Sequence, residues 1–253
     1  MMRTLIDRRL WVGGAAACLT WIAATKLGVG AVWFSTALVF VATVFLYSLD
    51  DLFDEPSKRR TTLAAVASAG TVLVAMLATA PFTLQLTVVL GLAGCALYGA
   101  PLLCWRGRRV GLKAIPGVKA PLVALSLTTA MLTVPVLADE AALQLAQMAP
   151  IALCLFVLTL GNALLFDICD AAEDRKRAVP TLPVLIGVAR TRALIVAFHV
   201  VAIAALFWRR QSELAVVLVA SLGVVLITQS ERRTTELLAD GLPYAVALVV
   251  SIL

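Results

Sequence analysis

The chain has 253 residues, 62% of them hydrophobic and only 14% charged, with a mean hydropathy of +0.99. That composition excludes a soluble globular enzyme and predicts an all-α polytopic membrane protein. The net charge of +6 would suggest nucleic acid as partner of a soluble domain; here it tracks the loops between apolar segments, and no nucleic acid is expected.

In chain order, Arg3, Arg8 and Arg9 precede an apolar run that ends at Lys26. No small-residue cleavage site stands out, so the run reads as a first transmembrane helix rather than a signal peptide. About nine spans are expected, over residues 10–25, 32–49, 63–80, 84–103, 121–137, 149–166, 193–208, 213–228 and 242–253. The third and fourth are joined only by a turn at Pro81. With the N-terminus in the cytoplasm, 18 of the 21 Lys and Arg fall on the inner side. This bias sets the expected orientation. A long inner loop from Trp105 to Lys119 is basic, with glycines at intervals and enough apolar residues to lie at the membrane surface. Arg209 and Arg210 flank Trp208 on the outer side, as a headgroup anchor would. Five cysteines without a CxxC pair argue against a disulfide framework or a zinc site, and the lone His199 reads as a packed polar residue.

Two acidic stretches break the apolar pattern, and both fall on the expected cytoplasmic side. The first is Asp50-Asp51-Leu52-Phe53-Asp54-Glu55, at the end of the second span. The second runs from Asp167 through Asp170 and Glu173 to Asp174, at the end of the sixth. Spacings of three and four place Asp51 with Asp54, and Asp167 with Asp170 and Asp174, on shared helical faces. Tyr47 stands one turn before Asp51, and Asn162 and Phe166 lead along an i, i+4, i+8 line to Asp170, so both Tyr47 and Asn162 are expected on the acid side.

Clustered carboxylates at a membrane interface need a cation among them. Lys58, Arg59, Arg60, Arg175 and Lys176 can serve in part. Mg²⁺ serves better: it takes hard oxygen ligands and is completed by substrate phosphates. A diphosphate held beside a hydrophobic tunnel points to an isoprenyl diphosphate. Its C–O bond would break heterolytically, with water excluded by the bilayer and an aromatic ring such as Tyr47 steadying the cation. Two other readings remain open. The acids can be interfacial salt bridges alone, or belong to an ion-coupled transporter, which would place acids deep within the spans.

These residues resemble the UbiA superfamily of intramembrane prenyltransferases, over essentially the whole chain. The first family motif, NDxxDxxxD, is matched by Asp50, Asp51 and Asp54, with Asp50 in place of Asn and Lys58 in place of the last Asp. The second, NDIRDxxxDRxxGxRTLPV, is matched by Asp167-Ile168-Cys169-Asp170, Asp174-Arg175-Lys176 and Thr181-Leu182-Pro183-Val184. Phe166, Ala178 and Pro180 depart from it. Tyr98, Pro101, Lys113 and Lys119 match a stretch that in the family leads into a basic loop.

The resemblance implies about nine helices around a central cavity, forming a single domain over residues 1–253. It implies Mg²⁺-dependent transfer of a prenyl group to a lipophilic or aromatic acceptor, with a membrane terpene cyclase as the alternative; the ion-coupled transporter is a less favoured alternative that comes from the acids alone. Asp50, Asp51, Asp54, Asp167, Asp170 and Asp174 are the expected metal-facing set, with Tyr47 and Asn162 beside the reacting carbon. Lys58, Arg59, Lys113, Lys119 and Lys176 are the expected diphosphate contacts. The expected setting is a bacterial plasma membrane, with the site's mouth and the N-terminus cytoplasmic and membrane lipid around the spans. Acceptor, chain length and oligomeric state are not encoded in any motif found.

Overall fold

The computed structural model describes residues 5–54, 59–99, 103–105, 108–140, 145–176, 179–228, 235, 238–239 and 241–252. Its helices are α1 (Leu5–Leu27), α2 (Val32–Asp54), α3 (Arg59–Ala78), α4 (Phe82–Gly99), α5 (Lys119–Ala138) and α6 (Leu145–Lys176). They continue as α7 (Leu182–Ile186), α8 (Val188–Trp208), α9 (Ser212–Ile227) and α10 (Leu242–Ile252). Six of them, α1, α2, α3, α5, α6 and α8, are long and apolar enough to cross a membrane. Among the described residues this replaces the expected nine spans: α9 and the apolar part of α4 are shorter, and α10 covers only 11 residues. By these long apolar helices the chain is an integral membrane protein.

Nor is the fold wholly helical. β1 (Leu103–Trp105) and β2 (Arg108–Val110) pair antiparallel, with Cys104 opposite Arg109, and a 3-10 turn at Leu112–Ala114 leads to α5. Part of the stretch expected to be a basic loop along the membrane surface is thus a hairpin, and Lys119 is the first residue of α5.

Two compact units divide the chain, residues 1–111 with 130–143, and residues 112–129 with 144–253. In the first, α2 packs along both α1 and α3. Gly13 makes the α1–α2 approach possible, since a Cβ there would lie 2.8 Å from Val44 Cγ2. At the far end of α1, Gly28 takes φ of +70°, open to glycine at no cost, and the Gly30 N–H donates to Asp139 Oδ2 at 2.9 Å.

The second unit is built on α6, which packs against α7, α8 and α9. Leu160, Leu164, Leu165 and Ile168 of α6 form its core with Ala120, Ala124, Ile195 and Val225. Gly161 permits the closest crossing: a Cβ there would meet His199 Cε1 at 2.8 Å. His199 is fully buried. Its Nδ1 faces the Ile195 carbonyl at 2.8 Å and its Nε2 the Ser221 hydroxyl at 3.0 Å. A carbonyl only accepts, so Nδ1 carries the proton, and in the neutral ring Nε2 accepts from Ser221. Elsewhere in these helices, three buried hydroxyls are satisfied within the helix itself: Thr20 donates to the Ala16 carbonyl, Ser48 to Val44 and Thr159 to Leu155. In a lipid-surrounded helix, where no water is at hand, this back-bonding is the cheapest way to keep a hydroxyl.

Candidate active site

The first acidic stretch is helical to its last aspartate. Nothing in α2 breaks a helix before Asp54, and Pro56 two residues later disfavours its continuation. Tyr47, Asp50, Asp51 and Asp54 therefore share about 100° of arc at 3.6 residues per turn. Asp51 is held by a cation from a neighbouring helix. Arg9 of α1, 2% exposed, donates from Nε to Asp51 Oδ2 at 2.7 Å. Its Nη2 donates to Thr62 Oγ1 of α3 at 3.3 Å, so one guanidinium joins three helices. In the sequence Arg9 counts only as one of the charges that orient the chain. The signal that could have singled it out is its place: α1 begins at Leu5, so Arg9 lies a full turn inside a helix that must bury one face. Lys58 lies outside the described residues, as do the side chains of Asp54, Arg59 and Lys113.

The second stretch continues α6 ten residues past the expected end of its span, to Lys176, in a helix of 32 residues. Asp167, Asp170 and Asp174 share about 60° of arc. Asp167 is 3% exposed and accepts from Lys119 Nζ at 2.8 Å. Asp174 is also buried, and its Oδ2 accepts from Thr181 Oγ1 at 3.1 Å. The turn that brings Thr181 back is closed by Val179 N–H on the Asp174 carbonyl at 2.8 Å. Thr181 is extended, at φ −71° and ψ 159°, and Pro183 sits in the first turn of α7, where a missing N–H costs nothing. The Gly117 N–H reaches the Pro180 carbonyl at 3.1 Å, and Gly117, at φ +72°, lies against Leu182. So the Thr-Leu-Pro-Val segment acts as a brace. It fixes one oxygen of Asp174 and ties itself to the entry of α5, from which Lys119 reaches Asp167.

Two expected site residues are placed differently. Asn162 Nδ2 donates to the Ala239 carbonyl at 3.0 Å, and Cys169, seven residues on, puts its Sγ 3.4 Å from Thr235 Oγ1. That face of α6 is about a third of a turn from the acids, because an i, i+8 line drifts round a 3.6-residue helix. Asn162 therefore holds the Ala239 carbonyl. Lys176 is exposed and lies 3.8 Å from Glu173 in a loose surface pair.

Among the described residues, no three His, Cys, Asp or Glu side chains converge as a ready-made metal cage. Mg²⁺ bound together with a diphosphate draws only one or two carboxylates from the protein and keeps several waters. Asp170 and Asp174, hard oxygen donors on one braced face, suit that requirement.

No family model matches the sequence, and no curated protein matches it. Solved structures do match the fold. A UbiA homolog from Aeropyrum pernix K1 superposes with a TM-score of 0.72 at 15% identity, covering 97% of this chain and 99% of that one. A UbiA homolog from Archaeoglobus fulgidus bound to GPP and Mg²⁺ gives 0.65 at 14% identity, covering 99% and 100%. A digeranylgeranylglyceryl phosphate synthase gives 0.57 at 12% identity, covering 98% and 96%. From end to end, the chain has the fold of the UbiA homologs.

Proposed function

We propose that the protein is a UbiA-type intramembrane prenyltransferase. In this reading it moves a prenyl group from an isoprenyl diphosphate to a lipophilic or aromatic acceptor. The site's mouth and the N-terminus lie, in this reading, on the cytoplasmic side of a bacterial plasma membrane. The observation that carries this reading is the braced acid face of α6, at the position of the second family motif, in a chain that shares its fold with a homolog bound to GPP and Mg²⁺.

Asp170 and Asp174 would hold Mg²⁺. Bound there, the metal would supply Lewis-acid withdrawal of charge from the leaving diphosphate. The chain's own cations, Lys119 first and then Lys113, would neutralise what charge remains. Lys119 is well suited, since its side chain stays 31% exposed while one donor holds Asp167. Three rotatable donors let an ammonium serve two anions at once. Tyr47, on the acid side of α2, offers a ring face to positive charge on the allylic carbon. The apolar helices keep water from that cation, so the acceptor rather than water captures it.

The test uses purified protein, Mg²⁺ and a labelled prenyl diphosphate. Diphosphate released only when an acceptor is added identifies a transferase, and a hydrocarbon formed without acceptor identifies a cyclase. No release under any condition, with ion-dependent solute uptake instead, would make it a transporter. Comparing the lipids of cells with and without the gene by mass spectrometry would then name the acceptor through the single prenylated species that is lost.

A further inference from the structure

Each acidic stretch contains a D-x-x-D string, Asp51 to Asp54 and Asp167 to Asp170. In each, a cation from another helix is bonded to the first acid: Arg9 to Asp51 at 2.7 Å and Lys119 to Asp167 at 2.8 Å. The two pairs occur in different units and on different helices, α1 with α2 and α5 with α6. We infer that the first acid of each string is an internal anchor, neutralised by its helix-borne cation, and that metal binding falls to the later acids of the same faces. This rests on the proposed metal–diphosphate site and removes Asp51 and Asp167 from the metal-facing set.

The physical case is electrostatic and steric. A divalent cation placed on Asp51 would sit within a few ångströms of a guanidinium that is 2% exposed and bonded to both Asp51 and Thr62. Two positive charges that close, with little water between, repel strongly. Asp167 offers even less: its side chain is 4% exposed, and Oδ1 is already taken by the ammonium. The anchors also have a structural use. Arg9 fixes the end of α2 against α1 and α3, and Lys119 fixes the acid-bearing turn of α6 against the start of α5. Each string thus carries one acid that sets the helix in place. Asp51 and Asp167 act on the metal only by positioning the carboxylates that follow them.

The test measures Mn²⁺ binding to the detergent-purified full chain by electron paramagnetic resonance, with no prenyl substrate, alongside thermal unfolding. The neutral pairs Arg9→Gln/Asp51→Asn and Lys119→Gln/Asp167→Asn should keep the wild-type Mn²⁺ affinity within about 3-fold, whereas Asp54→Asn or Asp170→Asn should weaken it about 10- to 100-fold. Arg9→Gln alone frees a partly exposed carboxylate and removes a nearby positive charge, so Mn²⁺ should bind about 3- to 10-fold more tightly. A purely structural tie would lower the unfolding temperature without tightening metal binding. If the single variant fails to fold, the neutral pair still decides the question. A neutral pair that loses as much affinity as Asp54→Asn overturns the inference, as does an unchanged affinity in folded Arg9→Gln. Wild-type protein that binds no Mn²⁺ either alone or with inorganic diphosphate added overturns the proposed function and takes the inference with it; binding that Asp51→Asn and Asp54→Asn weaken equally overturns the inference alone.

Discussion

The two acidic stretches use the same pairing with opposite burial. In the first, the cation is the sequestered partner: the Arg9 side chain is 3% exposed and that of Asp51 is 25% exposed. In the second it is the acid: Asp167 is 4% exposed and Lys119 is 31% exposed. The difference follows from where each charge starts. Arg9 lies within α1, one turn past its beginning, and its reach is hemmed in by α2 and α3. Asp167 lies within α6, and Lys119 comes to it from the first residue of α5, where the stem can stay in contact with solvent. A charge embedded in a helix among apolar neighbours needs a partner; a charge at a helix end does not.

Removing the accessible member strands the buried one, and this is the largest effect the comparison predicts. Asp51→Asn leaves Arg9 uncompensated, and Lys119→Met leaves Asp167 so; each should destabilise the fold by about 3–5 kcal/mol in denaturation followed by circular dichroism. If Asp51→Asn unfolds like wild type, the first pair is not the buried tie described here. The two glycine crossings extend the comparison to packing. Gly161→Ala would push a methyl against His199, which is fixed at both ring nitrogens, and should cost about 1–3 kcal/mol. Gly13→Ala meets Val44, which is not so fixed, and should fall at the lower end of the same range. Thermal melts of both variants give the order, and a reversed order would mean that the α6–α8 crossing is the looser one. Thr181→Val removes the hydroxyl on Asp174 while keeping the volume, and should cost about 1–2 kcal/mol through the buried acceptor left unpaired. Lys176→Ala breaks only an exposed pair at 3.8 Å and should change stability by less than about 0.5 kcal/mol.

The sequence made the acid faces legible because a helix that carries apolar residues up to Asp54 or Asp174 has no reason to stop earlier. Periodicity then fixes which acids align. The Thr-Leu-Pro-Val segment was visible as a motif, and the structure adds the reason for its threonine, a hydrogen bond to an acid seven residues earlier. What the sequence hid were contacts between distant segments. Arg9 and Asp51 are separated by 42 residues and Lys119 and Asp167 by 48, and a Lys or Arg near a span end looks the same whether it faces headgroups or a carboxylate. The hairpin at 103–110 was hidden for another reason. Three-residue strands leave too short an alternation to distinguish from a basic loop. Asn162 was misplaced because eight residues are 2.2 turns of an α-helix, and that drift carries it to the face that holds Ala239.

The central claim is that the acid face of α6 carries a metal-bound diphosphate. Its most direct measurement is Mg²⁺-dependent release of diphosphate from a labelled prenyl diphosphate by wild-type protein and by Asp170→Asn, each checked for an unchanged melting temperature. Release that stops on chelation with EDTA and falls at least about 100-fold in Asp170→Asn is the predicted result. Release that continues at the wild-type rate in a folded Asp170→Asn protein would contradict it.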